Sequence, residues 1–133
     1  MSYTIERLPG EPIVLVRITG VNSLEEQRQI YADSARLTAD VEGHVWRITD
    51  FSGLQVNKAT FAHTLKSSKL ASSDETHSTV DPNVTVFFVA PTKESRFLRD
   101  LLAQQKAIPI FHSLEDAIKA ARLQIAKRQQ QTR

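Results

Sequence analysis

From Val84 to Ala90 the chain reads Val-Thr-Val-Phe-Phe-Val-Ala, apolar at every position except Thr85. The run is far shorter than the ~20 residues a membrane-crossing helix needs. It is also too continuous for a strand with one face in water, which alternates apolar and polar side chains. A buried internal strand, covered on both faces, is what remains, and that points to an α/β sheet flanked by helices.

The flanking sequence has the matching rhythm. Tyr3 to Leu8 reads as a short strand and Ile13 to Ile18 as a near-continuous apolar one with Arg17 inside it. Between them, Pro9-Gly10-Glu11-Pro12 combines two fixed φ angles with one permissive residue, so the two strands form an antiparallel hairpin. Ser23-Leu24-Glu25-Glu26 has the spacing of a capping box and opens a helix to about Asp40. Leu24, Ile30, Tyr31, Leu37 and Val41 are sparse along it, so one face is well solvated. Val45 to Phe51 is the third strand, and a second helix runs from about Lys58 to Leu70 with Phe61, Leu65 and Leu70 inward. Ala71 to Asn83 is too polar to bury and reads as a surface loop. Thr92 caps a third helix carrying Phe97, Leu98, Leu101 and Leu102 on one stripe. Ile108-Pro109-Ile110-Phe111 is a short strand whose proline confines it to an edge. Ser113-Leu114-Glu115-Asp116 caps a fourth helix with Leu114, Ile118, Ala121 and Ile125 on one face. The order is ββαβαβαβα: four helices and a mostly parallel sheet of about five strands, with an antiparallel first strand. One domain spans residues 1–128, and 129–133 form a frayed basic tail.

At 133 residues, such a domain buries roughly two-thirds of its unfolded surface without staples. Its 41% apolar and 24% charged residues are ordinary for a globular protein. Cysteine is absent, so disulfides and thiolate metal sites are excluded and a reducing cytoplasm is the expected compartment. Met1 to Arg7 has no apolar h-region of a secretory signal. Lys119, Arg122, Lys127, Arg128 and Arg133 leave the end of the chain purely basic. A cationic helix C-terminus complements the helix dipole. No aromatic residue interleaves these charges to stack on a base, so nucleic acid is not the expected partner.

The third strand ends in Asp50-Phe51-Ser52-Gly53, followed by Gln55-Val56-Asn57-Lys58-Ala59-Thr60 at the start of the second helix. In open α/β sheets, ligands and partners are met at the carboxyl ends of the strands, which makes this turn the site candidate. The structural alternative is that Asp50 and Ser52 bond to backbone amides and shape the turn, with Gly53 supplying a positive φ. A receiver domain also ends its third strand on aspartate, but it needs an acidic pair after its first parallel strand and a lysine after its last. Here those ends read Ile18-Thr19-Gly20 and Ile110-Phe111-His112. His44 and His112 fall at opposite edges of the sheet, and neither they nor His63 and His77 show metal-ligand spacing. His112 and Asp50 share an edge as a base and an orienting acid would, yet no Gly-x-Ser-x-Gly elbow supplies a nucleophile. Phosphate-binding glycine loops are absent, with glycine only at 10, 20, 43 and 53. No enzyme, cofactor or metal is expected.

The hairpin, the run Ile13-Val14-Leu15-Val16-Arg17-Ile18-Thr19-Gly20, the segment Ile48-Thr49-Asp50-Phe51-Ser52-Gly53-Leu54, Val84 to Ala90, and Pro109 to Ala117 together resemble the STAS fold (sulfate transporter and anti-sigma factor antagonist). The family is also called sporulation stage II AA-like and has SEC14-like relatives. The resemblance covers nearly the whole chain. It implies a non-enzymatic, cytoplasmic regulatory module in bacterial-type signalling, docking a protein partner such as a kinase-type anti-sigma factor. The docking surface it implies comprises Asp50, Ser52, Gly53, Asn57, Lys58 and Thr60. The antagonist branch carries a phosphorylatable serine in Asp-Ser-Ser-Gly at the second helix. The matching segment here lacks that motif, leaving Thr60, and Ser52 before it, as the hydroxyls for phosphorylation. The SEC14-like branch implies the alternative, a carrier of a small apolar, lipid-like ligand with no membrane insertion. A homodimer through the first strand or first helix is compatible with both.

Overall fold

The computed structural model describes residues 3–19, 24–53, 82–91 and 108–131. Gly10, at φ 73°, reverses the chain between β1 (Tyr3–Arg7) and β2 (Ile13–Ile18). The two strands pair antiparallel, Tyr3 opposite Ile18 and Arg7 opposite Val14. Helix α1 (Leu24–Leu37) leads to β3 (Val45–Asp50), and the chain continues with β4 (Val84–Val89), β5 (Ile110–Phe111) and α2 (Leu114–Gln131). The sheet order is β1-β2-β3-β4-β5, and every pairing after the hairpin is parallel.

The expected mixed sheet is therefore present, with β4 internal and buried everywhere but Thr85. β5 forms the edge and is two residues long. Pro109 lies just before it, and its carbonyl accepts from the Phe88 amide at 3.0 Å. The described residues hold two helices. The helix expected from Lys58 to Leu70, the one expected after Thr92, and most of the polar stretch from Ala71 lie outside the described residues, so four helices are not established.

Strand alternation sorts the side chains into two layers. Ile13, Trp46, Ile48, Phe87 and Val89 face α2, where Ala117 and Ala121 are fully buried and let the helix approach closely. Val14, Val16, Val86 and Phe88 face the other way, towards Ile30 and Tyr31 of α1. Each layer holds an aromatic pair: Phe87 with Phe111 at 5.1 Å and Phe51 with Phe88 at 5.0 Å. Burying each such ring contributes about 1.5–3 kcal/mol.

One buried residue breaks the apolar pattern. Arg47, 2% exposed, lies in the α1 layer with its guanidinium 5.0 Å from the Tyr31 ring centroid. The ring face attracts the cation and lowers the cost of burying it. Tyr31 in turn accepts a hydrogen bond from Gln27 Nε2 at 3.1 Å.

Helix ends are tied to the sheet by charged side chains. Arg7 donates to the Leu37 carbonyl at 3.1 Å, satisfying one of the orphan acceptors at the end of α1, and pairs with Asp40. Ser113 caps α2 as expected, its Oγ accepting from the Asp116 amide at 3.1 Å. Three of the basic residues along α2 are engaged within the chain. Arg122 grips Glu11 in the hairpin turn through two 2.9 Å hydrogen bonds, and Lys119 lies 3.7 Å from Glu115. Arg128 stacks over the Trp46 ring at 5.9 Å, while the indole N–H donates to Gln124 at 2.9 Å. Among the described residues, no helix is long and apolar enough to cross a membrane.

Candidate docking edge of the sheet

Because β2 to β5 run parallel, Thr19, the turn after Asp50, Ala90 and His112 all emerge at one edge. Asp50 is the last residue of β3 and lies between Arg17 of β2 and Val89 of β4 in the register. Although charged, it is buried at 7% exposure. Its Oδ1 accepts from the Ser52 amide at 2.9 Å, closing a turn over two residues, and its Oδ2 lies 3.7 Å from Arg17 Nε. The carboxylate thus replaces the ladder that stops at β3 and fixes the direction in which the chain leaves the sheet. Ser52 and Gly53 are exposed at the tip of this turn.

The structural role expected of Asp50 is present, but that of Gly53 is different. Gly53 does not adopt a positive φ; Gly10 and Gly43 do. What it avoids is a clash, since a Cβ at this position would sit 3.2 Å from the Ile18 carbonyl oxygen and 3.8 Å from Thr19 Cα. Its requirement is close approach to the end of β2, a backbone atom with little room to yield. Arg17 is the member of the site that the sequence did not single out. Its signal was a cation inside an otherwise apolar strand, but the pairing with Asp50 becomes visible only once the register is known.

The other expected residues fall elsewhere. Asn57, Lys58 and Thr60 lie outside the described residues. His44 is at the amino edge, where its Nε2 meets Thr85 Oγ1 and its ring packs against Trp46 with centroids 4.8 Å apart. His112 follows β5, two strands from Asp50, which places their backbones roughly 10 Å apart. Among the described residues, no group of three His, Asp or Glu side chains is arranged to hold a metal ion.

On the α1 side of the same edge, Tyr3 donates to Asp33 Oδ2 at 3.2 Å. Burial, reinforced by the Asp33 carboxylate, pushes the Tyr3 hydroxyl up to about 12. It therefore stays a neutral donor throughout the physiological range.

No protein-family model and no curated protein matches the chain. Solved structures do. An anti-sigma factor antagonist from Mycobacterium paratuberculosis superposes with a TM-score of 0.56 at 16% identity, covering 90% of this chain and 92% of the other. The anti-sigma factor antagonist SpoIIAA in its unphosphorylated form gives 0.54 at 16% identity, covering 90% and 96%. At these identities the likeness is one of fold, and the protein has the STAS-like fold of anti-sigma factor antagonists.

Proposed function

We propose that this protein is a non-enzymatic STAS-like regulatory module whose carboxyl sheet edge docks a protein partner, an anti-sigma factor of the kinase type. The observation that carries the reading is the Asp50 turn. A buried carboxylate holds Ser52 and Gly53 in a fixed, exposed geometry at the edge where open α/β sheets meet their ligands. Preorganisation of this kind lowers the ordering cost of binding. Two of the solved neighbours are anti-sigma factor antagonists, which supports this choice of partner class. In this reading Asn57, Lys58 and Thr60 extend the docking surface beyond the turn, with Lys58 and Thr60 as its main polar contacts. Thr60 and Ser52 are the hydroxyls a partner kinase would modify, each placing about two negative charges on the surface.

Titration of the purified protein with purified anti-sigma factors of the same organism tests this by calorimetry. Binding that is weakened by Lys58→Ala and Thr60→Ala supports the docking surface. Equal affinity for all three proteins overturns it.

A further inference from the structure

We infer that the docking surface continues from the Asp50 turn onto the open face of the β1–β2 hairpin, and that Arg17 there receives a carboxylate of the partner protein. This rests on the docking function proposed above and names the chemistry that the partner must bring. The sheet face in question is the one α2 covers. That helix packs chiefly on β3, β4 and β5 and reaches the amino end of β2, over Ile13. On β1 and β2 of the same face, Thr4, Glu6 and Arg17 are exposed and Leu15 is half-buried. The register sets Thr4, Arg17 and Asp50 side by side across three strands.

Arg17 is under-used within the chain. Its side chain is 56% exposed, and its contact with Asp50 runs from Nε to Oδ2 at 3.7 Å. Charge-assisted hydrogen bonds between such groups are about 2.7–2.9 Å long. Both terminal guanidinium nitrogens have no partner among the described residues, so the planar fork that fits a carboxylate bidentately is open. Glu6, one register row away, also has no partner among the described residues.

The pattern of charge selects the occupant. Asp50 and Glu6 flank Arg17 and would repel a polyanion such as nucleic acid or a phosphate-rich surface. A single carboxylate set among hydrogen-bond donors matches a cation between two acids, and a protein surface supplies that combination. The face is continuous with the turn, because Gly53 abuts the carbonyl of Ile18, the neighbour of Arg17.

The test is calorimetric titration of a purified kinase-type anti-sigma factor into the wild type and into Arg17→Ala, Arg17→Lys and Arg17→Glu. Thermal melts of each variant accompany the titrations to establish that it is folded. Arg17→Ala is expected to weaken binding about 30-fold, the scale of an interface hot spot. Arg17→Lys should restore only part of the loss, because it keeps the charge without the fork, and Arg17→Glu should be weaker than alanine. Rising salt should weaken wild-type binding more than that of the alanine variant. If all Arg17 variants bind within twofold of wild type while Lys58→Ala or Thr60→Ala weakens binding, the inference fails and the docking function stands. If no anti-sigma factor of the organism binds the wild type, both fail.

Discussion

Replacing Asp50 separates the two tasks the structure gives its carboxylate. Asp50→Ala removes the acceptor for the Ser52 amide and the partner of Arg17 together, whereas Asp50→Asn keeps an oxygen for the amide and loses only the charge. A hydrogen bond to a charged acceptor contributes about 1.5–3 kcal/mol net. The exposure of Ser52 lets water take over part of that bond, which favours the low end of the range. The Arg17 contact is long and its side chain 56% exposed, so solvent screening reduces it to roughly 0–1 kcal/mol. Asp50→Ala should therefore cost about 2 kcal/mol and Asp50→Asn about 1 kcal/mol or less. For a domain of this length, each kcal/mol lowers Tm by about 3–5 °C. Thermal melts followed by circular dichroism should thus show alanine falling by about 8 °C and asparagine by no more than half of that. Urea unfolding followed through Trp46, the single tryptophan, gives an independent value. Equal losses in the two variants would show that charge, and not the turn hydrogen bond, is what Asp50 supplies. No loss in alanine would refute the turn itself.

Three further outcomes follow from particular contacts. Gly53→Ala gains about 0.4–1 kcal/mol by restricting the unfolded chain, but its Cβ meets the Ile18 carbonyl at 3.2 Å. Crowding against backbone costs about 1–3 kcal/mol, so a net loss on the order of 1 kcal/mol is expected in urea titration, and a stabilised variant would contradict the close approach. Tyr3 has its hydroxyl raised to about 12 in the fold, against 10.0 for a free tyrosine. The unfolded chain therefore loses this proton first, and stability should fall as pH rises from about 10 to about 12, a dependence that Tyr3→Phe removes. Glu11 has its carboxyl held below the usual range by its hydrogen bonds from Arg122. Its contribution is present above the ordinary glutamate pKa and fades as acid protonates the folded form, so Glu11→Gln should flatten this part of the acid limb of the stability profile.

The sheet was legible because its strands are set by hydrophobic runs that need no knowledge of partners. Ile13 to Ile18, Val45 to Asp50 and Val84 to Val89 all form where apolar continuity places them, and Pro109 stands at the head of the edge strand as its missing donor requires. The cap of α2 was equally visible, since Ser113 and Asp116 act within one turn. Contacts between residues distant in sequence were not. Arg122 and Glu11 are 111 positions apart, and nothing local in either marks the other. Arg47 reads as a charge on a strand until α1 folds Tyr31 over it. At the site, Asp50 and Ser52 were recognisable from turn chemistry, while the need for Gly53 was assigned to the wrong cause. A glycine after a strand looks the same in sequence whether it supplies a positive φ or avoids a carbonyl. The place of Arg17 depends on a two-strand register that no single segment encodes.

A protein partner docked on the carboxyl edge of this sheet would leave a footprint confined to that edge. Amide chemical-shift mapping of the isotope-labelled protein with a purified kinase-type anti-sigma factor reads that footprint residue by residue. Docking should perturb Thr19, Ser52 and Gly53 and leave Gly43, His44 and Asn83 at the amino edge unchanged. Shifts confined to the amino edge, or none at saturating partner, would contradict it.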